Sequence, residues 1–268
     1  YERAKYEFDY HDNTGFNSDV DSNVAPEKKA LDSGLVFKTK DSQVFFKVSK
    51  SFRFPATDEY FSAFATPPLN VNLKPQSGRH YEIGARHKFA DSGSMDLSLF
   101  RMDVSDELFY NPATFANENY DKTRHQGIET SAQYKIPKCV KLFGNYTYSD
   151  SVFKGGVYDG KFIPMVPKHK GCVGIASAFS ENISLDLKGN YIGKRYFISD
   201  QSNSLPRMED YFTVDSKLSY DFKNGTWFLG VNNIFDKDYS EYGVKSGSLR
   251  YYYPSPKRNF ELGAVYKW

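Results

Sequence analysis

The chain has 268 residues, enough for one large domain or two small ones, with 40% hydrophobic residues and 17% aromatic ones, chiefly 21 Tyr and 23 Phe. The formal charge of +2 and the absence of a basic stripe exclude a strong pull toward nucleic acid. The longest apolar runs are only a few residues, which excludes a membrane-spanning helix.

Period-two alternation recurs along almost the whole chain, and helical periodicity almost nowhere. The opening "YERAKYEFDY" reads as a strand near 1–10 that starts in mid-element. It lacks the apolar core and cleavage site of a signal peptide, so the chain reads either as a mature start or as a fragment, with the fragment favoured. Further strands are predicted near 30–39, 42–52, 80–89, 94–104, 127–136, 138–149, 169–179, 183–192, 212–222, 226–235 and 260–268, twelve in all. The pattern is cleanest over 212–222, where Phe212, Val214, Leu218, Tyr220 and Phe222 alternate with Thr213, Asp215, Lys217, Ser219 and Asp221.

The connections carry more information than the strands. Tight polar turns fall near 40, 90–94, 137–138, 180–182 and 223–225. Long connections fall near 11–29, 53–78, 105–124, 150–168, 195–210 and 236–257. Short and long alternate, so an antiparallel meander puts every turn at one end and every long loop at the other. That asymmetry, with strands of about ten residues, marks a transmembrane β-barrel with short periplasmic turns and long outer loops. A soluble sandwich also alternates, but its strands are shorter and its long loops are not confined to every second connection. Lys or Arg facing lipid near the midplane costs about 2–4 kcal/mol, so the face with Asp215, Lys217 and Asp221, like that with Glu129, Gln133 and Lys135, must look into a polar lumen.

Several segments, in order, resemble the TonB-dependent outer-membrane receptors. They are "FRFPATDEYF" from Phe52 through Pro55, "NVNLKPQSGRHYEIGARHKF" with Asn72, Pro75 and Glu82, and "GIETSAQYKI" with Gly127 and Glu129. They continue with "FIPMVPKHKGCVGI", "VNNIFDKDYS" with Asn233, Phe235, Asp236 and Tyr239, and "YYYPSPKRNFELGAVYKW" with Pro254 and Arg258. The resemblance covers essentially residues 30–268 and implies a 22-stranded barrel around a plug. Nothing here resembles that plug, so 1–268 reads as a single β-barrel domain forming the C-terminal half of a receptor. A self-contained twelve-stranded passive channel and a non-transporting surface-binding barrel remain open.

The resemblance implies a bacterial outer-membrane location and uptake of a ferric siderophore or similar metal chelate. TonB would act through a plug outside this chain; the other partners are outer-membrane lipid and the barrel-assembly machinery. The last strand matches the family's assembly signal at Gly263, Tyr266 and Trp268, with the two rings on the lipid face. Haem receptors share similar boxes at Phe52–Pro55 and Asn70–Leu73 with a ligating histidine between them; residues 56–69 contain no histidine, and His80 and His11 are the outer-side candidates.

Candidate ligand contacts are Arg53, Tyr110, Tyr120, Phe197, Arg250 and Tyr252, drawn from loops also holding Phe115, Tyr158, Arg195, Tyr239, Tyr242, Tyr251 and Tyr253. Rings and guanidinium groups suit aryl-bearing anionic chelates, and the same rings also suit a barrel-rim girdle. Arg53 is alternatively a partner of Asp58 or Glu59, and Asp236 is expected to cap its turn through nearby backbone. No enzymatic motif, metal-ligand spacing or cofactor site is recognised: no His-x-Ser pair or His-x-x-x-His spacing occurs, though a triad assembled from distant positions leaves no such trace. Cys139 and Cys172 are expected about 15–20 Å apart at 3.3 Å per residue, too far for a disulfide.

Overall fold

A computed structural model describes all residues except 1, 11–19, 63, 65–67, 90–91, 112–113, 137–139 and 267. Eleven antiparallel strands form one continuous meander in which every strand pairs with its sequence neighbours. They are β1 (Leu31–Lys38), β2 (Ser42–Arg53), β3 (Gln76–Phe89), β4 (Gly93–Asn111), β5 (Ala116–Ile136), β6 (Val140–Phe153), β7 (His169–Ala178), β8 (Ile183–Ile192), β9 (Tyr211–Phe222), β10 (Gly225–Asn232) and β11 (Asn259–Tyr266). β1 and β11 are the two edges.

The expected twelfth strand is absent from this sheet. Instead, Glu2–Arg3 pairs with Glu27–Lys28 and Tyr6–Tyr10 with Val20–Val24. Both pairs keep the same register, so residues 2–10 and 20–28 run as one two-stranded ribbon leading into β1. Its alternation is real, but its hydrogen bonds are spent within the ribbon.

The second departure concerns residues 105–124, expected as a long loop. β4 and β5 pair through this stretch from Ser105–Lys122 to Asn111–Ala116. Leu108, Phe109, Tyr110 and Tyr120 continue the strand pattern through polar residues, and these polar residues lie beyond the bilayer, where the lipid-face rule no longer applies. The other outer connections run 54–75, 154–168, 193–210 and 233–258, the last containing a hairpin of Ser240–Ser246 and Leu249–Pro254. The short turns at 39–41, 179–182 and 223–224 lie at the opposite end, as the alternation predicts; the expected turn at 137–138 and part of that at 90–94 lie outside the described residues.

Register separates the two faces. Gln43, Arg86, Asp96, Ser131, Asn145, Cys172, Asn190 and Thr213 are successive cross-strand partners, a polar row across eight strands. On the other face Leu185, Leu218, Leu229 and Leu262 form a row, as do Phe46, Ile83, Leu99 and Ile128. Most of these apolar side chains are exposed. A soluble sheet would hide them; a lipid-facing sheet presents them. The buried residues gather instead at the loop end, where Phe8, Tyr60, Leu69 and Leu73 pack the ribbon against the 54–75 connection.

At Gly127 an added Cβ would overlap the Tyr148 carbonyl on β6, so the matched G-I-E strand needs its glycine for backbone approach. Cys172 is a free thiol on the lumen face; Cys139 lies outside the described residues.

Candidate ligand vestibule

The outer loops interlock through three polar anchors. In the 193–210 connection Asp200 is fully buried and accepts from the backbone N–H groups of Ser204 and Leu205, each at 2.9 Å. Lys245 of the 240–254 hairpin donates to the same carboxylate at 3.1 Å and to Ser204 Oγ at 2.7 Å. Burial pushes the Asp200 carboxyl up, but these backbone and side-chain donors outweigh it and hold it below the usual carboxylate range.

Asn203 supplies the second anchor. It adopts a left-handed backbone (φ 53°), and its amide bonds both polar groups of Phe162, accepting from the N–H at 2.7 Å and donating to the C=O at 2.9 Å. This ties the 193–210 connection to the 154–168 one. Arg195 is the third: 3% exposed, it donates through Nη2 to the Ser240 and Glu241 carbonyls at 2.7 and 3.0 Å and lies over the Tyr211 ring. Its Nη1 is buried without a partner in the described residues.

Around these anchors the aromatic rings stack. Phe197 is fully buried with its ring edge-on to Tyr252 at 5.3 Å, and Gly243 lies close enough that a Cβ would meet Phe197 and Met208. Tyr211 packs on Tyr239 at 4.4 Å. Met208, Tyr211, Tyr239, Tyr252, Lys237 and Lys257 line a cavity of about 440 Å³ together with the acids Glu209, Asp210 and Asp238. A second, polar recess of about 290 Å³ on the lumen face is lined by Glu82, Arg86, Asp96, Glu129 and Asn145 among others.

The six expected ligand contacts do not share one surface. Tyr252 lines the aromatic cavity and is 48% exposed, while Arg250 stands two residues away, opposite Lys245 in the hairpin. Tyr110 is exposed at the tip of β4. Tyr120 is sandwiched between Phe109, stacked at 3.6 Å, and Phe153, and receives Gln201 at 3.4 Å; burial raises its phenol. Phe197 has no free surface, so a ligand reaches it only if the loops part. Arg53 Nη1 bonds both oxygens of Glu59 at 2.9 and 2.7 Å, so of the two alternative partners Glu59 holds it.

The motif residues build the loop bases. Phe52 packs on Phe54, and the buried Pro55 accepts the Tyr6 hydroxyl at 2.8 Å. Asn72 takes its N–H to the Asn70 side chain at 3.2 Å, with Pro75 half-buried two residues before Ser77. Asn233 and Asp236 both take positive φ and end β10 at Asn232, three residues before the expected strand end. Contrary to expectation, Asp236 does not cap its own turn: Asn233 Oδ1 accepts from Lys237, and Asp236 reaches across to Arg258. Phe235 is exposed, and Pro254 closes the hairpin strand. In β11, Gly263 lies under the Phe228 ring, Tyr266 accepts from Asn224 at 3.2 Å and Trp268 is fully exposed.

Sequence reasoning missed Asp200, Asn203, Lys245, Lys237 and Lys257. Ser and Asn around Asp200 in "SDQSNSL" were the one local sign of a tightly bonded loop. A chain from Ser151 to His125 Nδ1 at 3.0 Å and from His125 Nε2 to Glu107 at 3.3 Å also forms where β4, β5 and β6 rise beyond the bilayer. It has the order of a hydrolytic triad, but the Ser151 residue is only 3% exposed. No cluster able to hold a metal occurs among the described residues.

Residues 1–234 match the family described as TonB dependent receptor-like, beta-barrel. The catecholate siderophore receptor Fiu of Escherichia coli K12 is 29% identical over 241 residues, covering 86% of this chain and 31% of that protein. The metal-pseudopaline receptor CntO of Pseudomonas aeruginosa is 30% identical over 222 residues, covering 78% and 29%. The closed-form crystal structure of E. coli K12 Fiu superposes with a TM-score of 0.68 at 27% identity, over 92% of this chain and 36% of that one. The copper transporter OprC, at 17% identity, shares the fold with a TM-score of 0.79 over 99% and 43%. The chain spans about a third of the length of the relatives Fiu and CntO that it matches. With its lipid-facing meander, polar lumen wall and interlocked outer loops, it belongs to the TonB-dependent receptor-like β-barrel family of the bacterial outer membrane.

Proposed function

We propose that residues 1–268 are one barrel portion of a receptor that takes up a ferric siderophore or similar metal chelate across the outer membrane. TonB supplies the energy through a plug that lies outside this chain, and the barrel-assembly machinery reads Gly263, Tyr266 and Trp268. The observation that carries the reading is the loop cavity lined by Tyr211, Tyr239 and Tyr252 with Lys237 and Lys257 among its charged residues, in a barrel wall whose lumen face is polar. Aromatic faces stack on aryl groups of a chelate. Of the cavity's charges Lys257 is paired with Asp238, and Glu209 and Asp210 with Lys194. Lys237, without an ionic partner among the described residues, is thus the ammonium group left to meet an anionic ligand. Fiu, a relative, is a catecholate siderophore receptor, and a catecholate carries the aryl groups this chemistry suits; CntO, another relative, is a metal-pseudopaline receptor.

The burial of Ser151 in the Ser151–His125–Glu107 chain supports a transport receptor rather than an enzyme. Titration of the full-length protein with ferric catecholates, ferric hydroxamates, haem and cobalamin, followed by tyrosine and tryptophan quenching, tests the reading. Saturable binding of a ferric chelate supports it. Binding of haem or cobalamin alone, or of none of the four, defeats it.

A further inference from the structure

Where β4, β5 and β6 rise beyond the bilayer they enclose, with the turn after β6 and Gln201, a recess of about 160 Å³. It shares no residue with the Tyr211–Tyr239–Tyr252 cavity. Its place follows from a break in the alternation. Asp106 takes a left-handed backbone (φ 56°), so beyond it Glu107 turns to the lumen side and meets Thr123 and His125. Tyr120, the cross-strand partner of Glu107, lies on the same side, with Phe109 stacked on it at 3.6 Å. Phe153 meets Tyr120 edge-on at 4.6 Å, and Tyr158 stands 5.6 Å from Phe153. Four rings thus run in unbroken contact through the wall of the recess. Val157 of the same turn is 90% exposed, so this side of the recess opens to the outside.

The remaining polar lining is Asn111, Glu118, Asn119, Asp121 and Gln201: two acids and no base. Asp121 is exposed, and its carboxylate has no ionic or hydrogen-bond partner among the described residues. Glycine at 156 leaves that carboxylate its room, because a Cβ there would lie 2.8 Å from Asp121 Oδ2. Glu118 accepts only from neutral groups, Asn111 Nδ2 at 3.0 Å and Thr114 Oγ1 at 2.6 Å. Burial raises the Tyr120 phenol, and the carboxylates of Glu107 and Glu118 add to the rise, which marks a negative field around the rings. The neighbouring cations Lys122 and Lys154 line a different recess. Aromatic faces and uncompensated carboxylates both attract a cation, the first through the ring quadrupole and the second through net charge. Since no cluster able to hold a metal occurs among the described residues, the cation that fits is organic.

We infer that this recess binds an alkylated ammonium group, at a site separate from the chelate cavity and opposite to it in charge preference. The inference stands apart from the chelate reading, so failure of one leaves the other intact. The test titrates the full-length protein in detergent with choline and with 3,3-dimethylbutan-1-ol, which has the same shape and no charge, followed by saturation-transfer NMR. Choline is expected to saturate the site, and the neutral isostere to bind about ten-fold more weakly, the worth of a cation at aromatic faces. Asp121→Asn should weaken choline about ten-fold and leave the isostere unchanged, a split that a purely structural role for Asp121 would not produce. Tyr158→Leu should weaken choline, and Tyr158→Phe, which keeps the ring, should bind as wild type. A folded, heat-modifiable band on gels checks each variant. Absence of saturation by choline, equal binding of choline and its isostere, undiminished choline binding by folded Asp121→Asn, or equal binding by the Leu and Phe variants at 158 each overturns the inference.

Discussion

Asp236 Oδ1 accepts the backbone N–H of Arg258 at 2.9 Å, joining the two ends of the last outer loop across 22 residues. Arg258 returns a guanidinium contact to the Ile234 carbonyl at 3.4 Å, and Asn233 donates to the carbonyls of Lys237 and Pro256 at 2.9 and 3.4 Å. The two motifs N-I-F-D and P-S-P-K-R are thus one loop base read twice along the chain. Asn233 is its hub: it is 3% exposed, holds φ at 51°, and sends its N–H to Asp215 on the lumen face at 2.9 Å. Asn233→Ala keeps that N–H bond but removes the amide and places an alanine in the left-handed region. Local opening of 233–258 should become easier by about 2–4 kcal/mol, read as faster hydrogen exchange of that segment in the folded barrel.

The Asp200–Lys245 pair predicts how the outer surface comes apart. Replacing Asp200 by Ala strands two backbone N–H groups and leaves the half-buried Lys245 ammonium with Ser204 Oγ alone, a change of about 2–4 kcal/mol. Protease should then cut within 193–210 while the strands stay intact. Lys245→Met, which removes the charge from the other side, should cost less, because Ser204 and Leu205 still satisfy the carboxylate.

The same carboxylate sets a pH dependence. Its folded value lies below the ordinary 3.8, so the docking contribution is complete above that value and is lost as pH falls through the lower, folded one. Protease resistance of 193–210 should therefore be level from neutral pH down to the ordinary carboxylate range and fall only in stronger acid. Asp200→Asn should abolish that acid step; an unchanged step in this variant would assign it elsewhere.

The meander was legible because a single-layer sheet between lipid and lumen writes its two faces directly into alternate residues. Leu218 and Lys217 lie one residue apart and could not exchange places. Above the bilayer that constraint lapses, and so did the reading. β4 and β5 continue through Asp106 and Asp121 because strand pairing no longer needs an apolar outer side. The ribbon formed by residues 2–10 and 20–28 alternates like a barrel strand yet pairs with itself. In the vestibule, aromatic content pointed to Tyr252 and also to Phe197, which proves buried. Composition marks a ring as available for stacking; only the long-range contacts of Asp200 and Asn203 decide which rings keep a free face.

Gly127 offers a test of the fold at single-residue scale. Ala at this position would drive its methyl group into the Tyr148 carbonyl and part the β5–β6 ladder near its centre. Gly230→Ala is the matched control, since its Cβ would meet only ordinary contacts at 3.5 Å and beyond. The expected outcome is a strongly reduced folded, heat-modifiable fraction for Gly127→Ala and a normal one for Gly230→Ala. Equal assembly of the two would mean that the strands can separate at Gly127 without penalty.

Tyr252 joins the two halves of the functional reading. Its ring meets the buried Phe197 in a T-shaped contact at 5.3 Å, and it lines the cavity with Tyr211, Tyr239 and Lys257. Tyr252→Phe keeps the ring and should leave binding of a ferric aryl chelate nearly unchanged. Tyr252→Ala should weaken it by about ten-fold, the worth of one aromatic contact of about 1 kcal/mol together with the area lost. Lys257 is paired with Asp238 at 3.0 Å at the surface, so Lys257→Gln should act mainly through charge and its effect should shrink in high salt. Fluorescence titration of the full-length protein at two ionic strengths separates the two contributions. A Tyr252→Ala variant that binds as tightly as wild type would move the ligand out of this cavity, toward Tyr110 at the tip of β4.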